Sequence, residues 1–233
     1  SVGYMIPLMK FVDMANAGID MTVFIADLHA FLDKGYQWID KTDQRVSYYI
    51  FLIKNILKRL GLEPDRYDFK KGSDVQLDRM YIMDMFKLLT HVTVNQAKKA
   101  GSEVVKQNKE PALSSLVYPL MQVIDETVLE ADIELGGLDQ RKIFALSRDT
   151  IEKIGRNKCS YIMNGLLPSL GKPGAKMSSS DVMGKLEFTD SKEMIHEKLK
   201  KAYCVEKEVE NNPCLDLARM IVFPILHKLG GPK

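Results

Sequence analysis

Short apolar runs alternate with longer segments in which apolar residues recur every three to four positions, and this alternation leaves few possible folds. The run at residues 21–26 is continuous and rich in β-branched side chains, which predicts a strand buried on both faces. Residues 43–60 are strongly periodic and end at Gly61, as an amphipathic helix with a C-terminal glycine does. Strands that alternate with helices predict an α/β protein with a doubly wound parallel sheet.

The same patterns place the remaining elements. Further helices are predicted at 4–17, 75–91, 112–130 and 139–154, and further strands at 67–71, 133–135 and 160–163. Pro119 is expected to interrupt the helix at 112–130, because proline cannot donate a helical hydrogen bond. After about residue 190 only helices are predicted, at 191–203 and 214–228, so a helical second domain is expected to begin there.

Composition narrows the class of protein. A hydrophobic content of 45% and a charged content of 27% are typical of a soluble globular protein, and no apolar run is long enough for a membrane span. The three cysteines are scattered and the four histidines form no ligand pair, which predicts free thiols in a reducing compartment and no zinc site. A net charge of +2 neither requires nor excludes a nucleic-acid partner.

The segment 171–180 is rich in glycine, lysine and serine. Its two glycines and its proline exclude regular structure, and Lys176 stands just before three hydroxyl side chains. Such a loop can close over a polyphosphate and place a positive charge on it. The alternative is the start of a helix with one of the serines 178–180 as the N-cap.

Two further groups of polar residues could bind a ligand. Tyr118, Gln122 and Asp125 share one helical face, which is either a site for a phenol hydroxyl and an ammonium group or a solvated stripe on a half-buried helix. Asp139 follows the pair Gly136-Gly137, where a backbone can approach a ligand closely and a carboxylate can bind a ribose diol. An aspartate that only caps the next helix is the alternative there.

Six segments occur together in one order and resemble the tyrosyl-tRNA synthetases of archaeal and eukaryotic type over almost the whole chain. They are Ala26–Ala30, Arg45–Tyr49, Lys99–Gln107, Tyr118–Asp125, Gly136–Lys142 and Lys176–Ser180, the last of which is similar to the KMSKS loop of class I aminoacyl-tRNA synthetases. The resemblance implies a Rossmann-like catalytic domain at 1–185, with a dimer-interface insertion at about 90–117. It also implies that residues 186–233 begin a helical anticodon-binding domain, and that the family continues beyond both ends of this sequence.

The resemblance also implies roles for individual residues. Asp125 would accept a hydrogen bond from the hydroxyl of the substrate tyrosine, and His29 would lie near the substrate. The ammonium group would be held by Tyr118, Gln122 and Gln140. ATP would contact Gly3, Tyr4, Gly137, Asp139, Leu167, Lys176 and Met177, and Lys176 and Ser178 of the mobile phosphate loop would act in catalysis. Ser1 stands where the family's HIGH-like motif opens with histidine.

The activity implied is the formation of tyrosyl-adenylate from tyrosine and ATP with Mg²⁺, followed by transfer to the 3′ end of tRNA(Tyr), in a cytoplasmic homodimer without a membrane anchor. Four lysines could contact tRNA phosphates or lie on a solvated helix face: Lys192, Lys198, Lys200 and Lys201. A tryptophanyl-tRNA synthetase is one alternative function. A non-catalytic relative that only binds tRNA is the other.

Overall fold

The computed structural model describes residues 1–34, 41–105, 111–171, 177 and 181–231, with only the backbone of Lys34. Its helices are α1 Met5–Asn16, α2 Asp27–Lys34, α3 Thr42–Arg59, α4 Gly72–Val75, α5 Arg79–Leu89, α6 Val94–Ala100, α7 Leu113–Val128, α8 Arg141–Thr150, α9 Lys192–Lys200, α10 Pro213–Leu217 and α11 Phe223–Lys228. Its strands are β1 Met21–Ile25, β2 Tyr67–Lys71, β3 Ile133–Gly137 and β4 Ser160–Asn164. The predicted helices and strands are thus confirmed, most of them to within a few residues.

The strands form two pairs in the described part of the chain. β1 and β2 are parallel, with Met21 opposite Tyr67 and Ile25 opposite Lys71, and β3 pairs with β4. Parallel neighbours require a crossover, which here contains α2 and α3. The prediction that β1 is buried on both faces is wrong: only Met21 is fully buried and Thr22 is exposed, because β1 has β2 as its one paired strand among the described residues.

Local chemistry explains where several helices begin and end. Gly61 has a φ of +83°, a left-handed conformation that stops α3 without steric cost. The side chain of Asp78 accepts a hydrogen bond from Met80 N and so caps α5. Thr93 and Gln96 form a reciprocal capping box at the start of α6. These signals were readable in the sequence because each one acts within four residues.

Helix α7 is the centre of the larger core. It packs with α2, α5, α6 and α8, and it contributes Leu120, Val123 and Ile124, each at most 2% exposed. Pro119 was expected to interrupt this helix, but the helix runs through it from Leu113 to Val128. The packing of these four helices along α7 outweighs the one hydrogen bond that the proline removes.

The chain forms two compact units. The first comprises 1–19, 56–63 and 164–233, and the second comprises 20–55 and 64–163. The first has a small core of its own, built from Leu167, Leu170, Leu186, Leu217 and Ile221. The domain boundary predicted near residue 185 stays a prediction. Among the described residues, no helix combines the length and the apolar character that crossing a bilayer requires.

Candidate active site

Asp125 belongs to the second unit. The sequence left open whether the face of its helix is solvated or lines a binding site. Its side chain is buried, and Oδ1 accepts hydrogen bonds from Gln76 Nε2 at 2.7 Å and from the Tyr81 hydroxyl at 2.9 Å. Burial raises the pKa of Asp125 to about 7, although both donors favour the ionised form. The alternative of a solvated stripe is therefore wrong, since a carboxylate on such a stripe would remain hydrated.

The second oxygen of Asp125 faces His29. Nε2 of His29 lies 3.6 Å from Oδ2, beyond hydrogen-bond distance, and both hydrogen bonds that the described residues make to this carboxylate end on Oδ1. Burial lowers the pKa of His29 to about 4, so its imidazole is neutral at pH 7. The His29 ring also packs edge-on against the Tyr118 ring, with 4.6 Å between the ring centroids. Oδ2 can therefore accept a hydrogen bond from a hydroxyl group that approaches between these side chains.

Gln122 and Gln140 come together although eighteen residues separate them. Gln122 Nε2 donates to Gln140 Oε1 at 3.1 Å, and Gln140 Nε2 lies 3.4 Å from Asp139 Oδ1. Both protons of the Gln122 amide are used, because Nε2 also donates to Glu134 Oε1 at 3.1 Å. The amide carbonyl of Gln122 remains as an acceptor, which suits a positively charged amino group.

The glycine pair at the end of β3 has a packing role. A Cβ atom on Gly136 would lie 2.7 Å from Phe144 Cζ and 3.1 Å from Gln140 Cγ, so a larger residue would push Gln140 away. Gly137 is the N-cap of a 3₁₀ turn at Leu138–Gln140, and α8 begins with Gln140 as its N-cap, without a capping side chain. The alternative that Asp139 caps the next helix is therefore wrong.

A third polar cluster contains Glu126 and Glu134, and Glu134 is a hydrogen-bond partner of Gln122. The carboxylate of Glu126 accepts hydrogen bonds from Ser147 Oγ at 2.8 Å, Cys159 Sγ at 3.2 Å and the Tyr161 hydroxyl at 2.9 Å. Burial, and then the charge of Glu126, raise the pKa of neighbouring Glu134 to about 8. Oε2 of Glu134 is buried and receives no hydrogen bond from the described residues.

Four of the expected ATP contacts belong to the first unit. Gly3 and Tyr4 lie in a 3₁₀ turn at Val2–Tyr4 that leads into α1, and Leu167 is buried in the small core. The backbone carbonyl of Leu167 accepts a hydrogen bond from Met177 N at 3.1 Å. Lys176 and Ser178, the expected catalytic residues, lie outside the described residues.

One of the four lysines proposed for tRNA contact cannot make it. Lys198 is 2% exposed, and its Nζ lies 2.6 Å from Asp190 Oδ2. Its place in α9 turns it inward, whereas Lys192, Lys200 and Lys201 are exposed. Releasing Lys198 to a phosphate would leave the half-buried carboxylate of Asp190 without this partner.

Sequence analysis missed Gln76, Tyr81 and Glu134. Gln76 follows β2 and α4, and a polar residue just after the carboxyl end of a parallel strand is a usable signal for a ligand site. Tyr81 and Glu134 gave no such signal, because their partners Asp125 and Gln122 lie on another element of the fold.

Known proteins resemble this chain along almost its whole length. The family of class I tRNA synthetases (W and Y) matches residues 1–230. The cytoplasmic tyrosine–tRNA ligase of Danio rerio is 42% identical over 241 residues, and its probable counterpart in Encephalitozoon cuniculi is 42% identical over 229 residues. These alignments cover 100% and 98% of this chain, and 45% and 67% of the respective relatives, so the chain spans about half to two thirds of their length.

A solved structure agrees with these relatives. The tyrosyl-tRNA synthetase of Archaeoglobus fulgidus in complex with L-tyrosine superposes with a TM-score of 0.86 at 34% identity, over 96% of this chain and 67% of that one. The likeness confirms the Rossmann-like α/β fold that the sequence predicted. The chain belongs to the class I tRNA synthetases of the W and Y family, and within it to the tyrosyl-tRNA synthetases of archaeal and eukaryotic type.

Proposed function

We propose that this chain carries the part of a tyrosine–tRNA ligase that activates tyrosine with ATP. The observation that supports this most directly is the Asp125 carboxylate, which is buried, held by Gln76 and Tyr81 on one oxygen, and has the other oxygen available. A phenol hydroxyl that donates to Oδ2 would replace the solvation that the carboxylate has lost. Phenylalanine would leave that oxygen buried without a partner, which is costly.

The amino end of the substrate would lie at the Gln122 carbonyl. Tyr118 and Gln140 complete the set that the family resemblance assigns to the ammonium group, and Tyr118 is half-buried beside His29. The two ends of the amino acid would then be fixed by side chains of α7 that are one helical turn apart, Gln122 and Asp125. Fixing both ends positions the substrate carboxylate, which is itself the nucleophile towards the α-phosphate.

ATP would enter as its magnesium complex and is a substrate, so no resident metal is required. Asp139 would bind the ribose, and Gly3, Tyr4, Gly137, Leu167 and Met177 would contact the nucleotide. Lys176 and Ser178 would stabilise charge on the leaving pyrophosphate. We expect Lys176→Ala to lower the rate of adenylate formation about 100-fold with little change in tyrosine affinity, measured by single-turnover formation of tyrosyl-adenylate.

The partners follow from the same proposal. The adenylate would transfer its tyrosyl group to the 3′ end of tRNA(Tyr) in the cytoplasm, as the names of the two eukaryotic relatives suggest. A second copy of the chain would bind near residues 90–117. Support comes from an exposed apolar stripe on α5, formed by Met80, Met83, Phe86 and Leu89, which is typical of an interface.

Tyrosine-dependent exchange of labelled pyrophosphate into ATP tests the activity. We expect exchange with tyrosine and not with tryptophan or phenylalanine. Exchange with tryptophan would support the tryptophanyl alternative, for which the phenol-accepting Asp125 gives no reason. Binding of tRNA without any exchange would support the non-catalytic alternative.

A further inference from the structure

Gln122 must present its amide nitrogen, and not its oxygen, to Glu134. Nε2 lies 3.1 Å from Glu134 Oε1 and 3.1 Å from Gln140 Oε1, and both of these atoms act as acceptors. If Glu134 carried a proton on Oε1, that oxygen would donate, and the Gln122 amide would have to turn over to accept. The position of one proton on Glu134 therefore determines which end of Gln122 is left for a ligand.

The neighbouring carboxylate decides where that proton lies. Glu126 accepts from Ser147, Cys159 and Tyr161, and three donors that point at one carboxylate favour its ionised form. Glu134 Oε2 is buried and has no hydrogen-bond donor among the described residues. A buried oxygen of an ionised carboxylate would need such a donor. Carboxylate oxygens of Glu134 and Glu126 lie within 4.8 Å of one another, so a proton on Oε2 that is donated to Glu126 would satisfy both carboxyl groups at once.

A metal ion is the other occupant that the spacing could allow. One ligand atom each from Glu126, Glu134 and Cys159 lie within 4.8 Å of one another. Burial, and then the charge of Glu126, raise the pKa of the Cys159 thiol to about 12, which opposes the thiolate that a metal requires. The three donors to Glu126 would also have to turn away from a cation. The geometry therefore favours a shared proton.

We propose that Glu134 is a positioning residue for Gln122, held as a neutral carboxyl group that donates from Oε2 to Glu126 and accepts at Oε1 from Gln122. This inference rests on the proposed function in one respect, that Gln122 receives the amino group of tyrosine. Every hydrogen bond of this network then has a defined donor. Glu134 donates to Glu126, Gln122 donates to Glu134 and to Gln140, and Gln140 Nε2 points towards Asp139. The charge of Glu126 thus orients two amides that lie towards the proposed substrate site.

The charged and titratable groups that face Glu134 are few. Asp125 and Glu126 approach from α7, Cys159 from the residue before β4, and Tyr161 from β4 itself. Asp139 is linked to Glu134 through Gln140 and Gln122. No described cation is among these groups, so none offsets a second negative charge on Glu134.

Two variants separate a neutral Glu134 from an ionised one. Glu134→Gln reproduces the proposed state, because its amide accepts on one side and donates to Glu126 on the other. Glu134→Leu keeps the approximate volume and removes both hydrogen bonds. Glu152→Gln, at an exposed glutamate of the same unit, is the matched control for loss of a carboxylate.

The readout is the KM for tyrosine and the kcat of pyrophosphate exchange at pH 7, together with infrared spectra. We expect Glu134→Gln and the control to stay within about twofold of the unchanged chain, and Glu134→Leu to raise the KM about tenfold with a smaller effect on kcat. Asp125, whose pKa is about 7, also contributes to the C=O stretching band of buried carboxylic acids at pH 7. The expected signature of Glu134 is therefore a carboxylic acid band in the spectrum of the unchanged chain minus that of Glu134→Gln.

Two results would overturn the inference. One is a tenfold higher KM in Glu134→Gln, as expected if an ionised Glu134 attracts the ammonium group. The other is the absence of a carboxylic acid band from the difference between the spectra of the unchanged chain and Glu134→Gln at pH 7. Lack of exchange by the unchanged chain would instead count against the proposed function, and the band would still decide whether Glu134 holds the proton. Glu134→Gln keeps the test valid if Glu134→Leu fails to fold.

Discussion

Asp125 and Glu126 are consecutive buried carboxyl groups on α7, and they differ in how the protein's hydrogen-bond donors contact them. Asp125 receives its donors, Gln76 and Tyr81, on one oxygen and keeps the other available. Glu126 accepts hydrogen bonds from Ser147 of α8, from Cys159 just before β4 and from Tyr161 of β4. Adjacent residues of a helix point about 100° apart, so one carboxyl enters the proposed substrate site and the other enters the protein interior.

The difference distinguishes a ligand group from a supporting group. Burial raises the pKa of both carboxyl groups, so a perturbed pKa by itself does not identify the functional one. What differs is the number of protein donors each one has. Asp125 keeps one oxygen that no described donor reaches and can use it to select a ligand, whereas protein donors contact both oxygens of Glu126, which can orient only its neighbours.

Glu126→Leu should produce the largest effect, on folding. It leaves three buried donors without an acceptor, at about 1 kcal/mol or more each, so we expect the free energy of unfolding to fall by about 3 kcal/mol. Urea denaturation measures this. Glu126→Gln, which keeps an acceptor, should cost less than half as much, and equal stability of the Leu variant and the unchanged chain would contradict the supporting role.

Asp125→Asn should have its main effect on the ligand. Losing a hydrogen bond to a charged acceptor costs about 1.5–3 kcal/mol, so tyrosine affinity should fall roughly 10- to 150-fold while phenylalanine affinity changes little. Titration calorimetry with each amino acid measures this. Folding stability at pH 7 should not fall, because the variant no longer buries a carboxylate. An unchanged preference for tyrosine would contradict the assignment of Asp125.

The pH dependence of stability should distinguish Glu134→Gln from the unchanged chain. The pKa of Glu134 is raised to about 8 in the folded chain, so its stabilising contribution is complete below its ordinary pKa and is lost as the pH rises through 8. The variant lacks this group. Its stability relative to the unchanged chain should therefore increase progressively between pH 5 and 8. Urea midpoints at several pH values measure the difference, and a constant difference would contradict the shared proton.

Tyr81→Phe should give the smallest effect. It removes one of two donors to Asp125 Oδ1, so we expect a loss of about 1 kcal/mol in stability and a further rise in the pKa of Asp125. Tyrosine affinity should then decline as the pH falls below 7 more steeply than in the unchanged chain. Calorimetry at pH 6 and pH 8 tests this, with the exposed Tyr48→Phe as the control.

Much of the fold could be predicted because its signals are local. Gly61 ended α3 as expected, and the residues 118, 122 and 125 shared one face because helix geometry places them there. The errors arose where packing overrides local preference. Pro119 lies inside a continuous α7 against which four helices pack, and Lys198 is buried against Asp190 although lysine is usually exposed.

The sequence by itself determined the order of helices and strands, the face of α7 that carries the polar residues, and the family. Only the tertiary structure decided what those polar residues do. Gln76 and Tyr81 reach Asp125 from 49 and 44 residues away, and Cys159 reaches Glu126 from 33 residues away. Periodicity places a side chain on a face of its own element. The donors that fill a buried carboxylate come from whatever element packs against that face, and this is fixed only when the core forms.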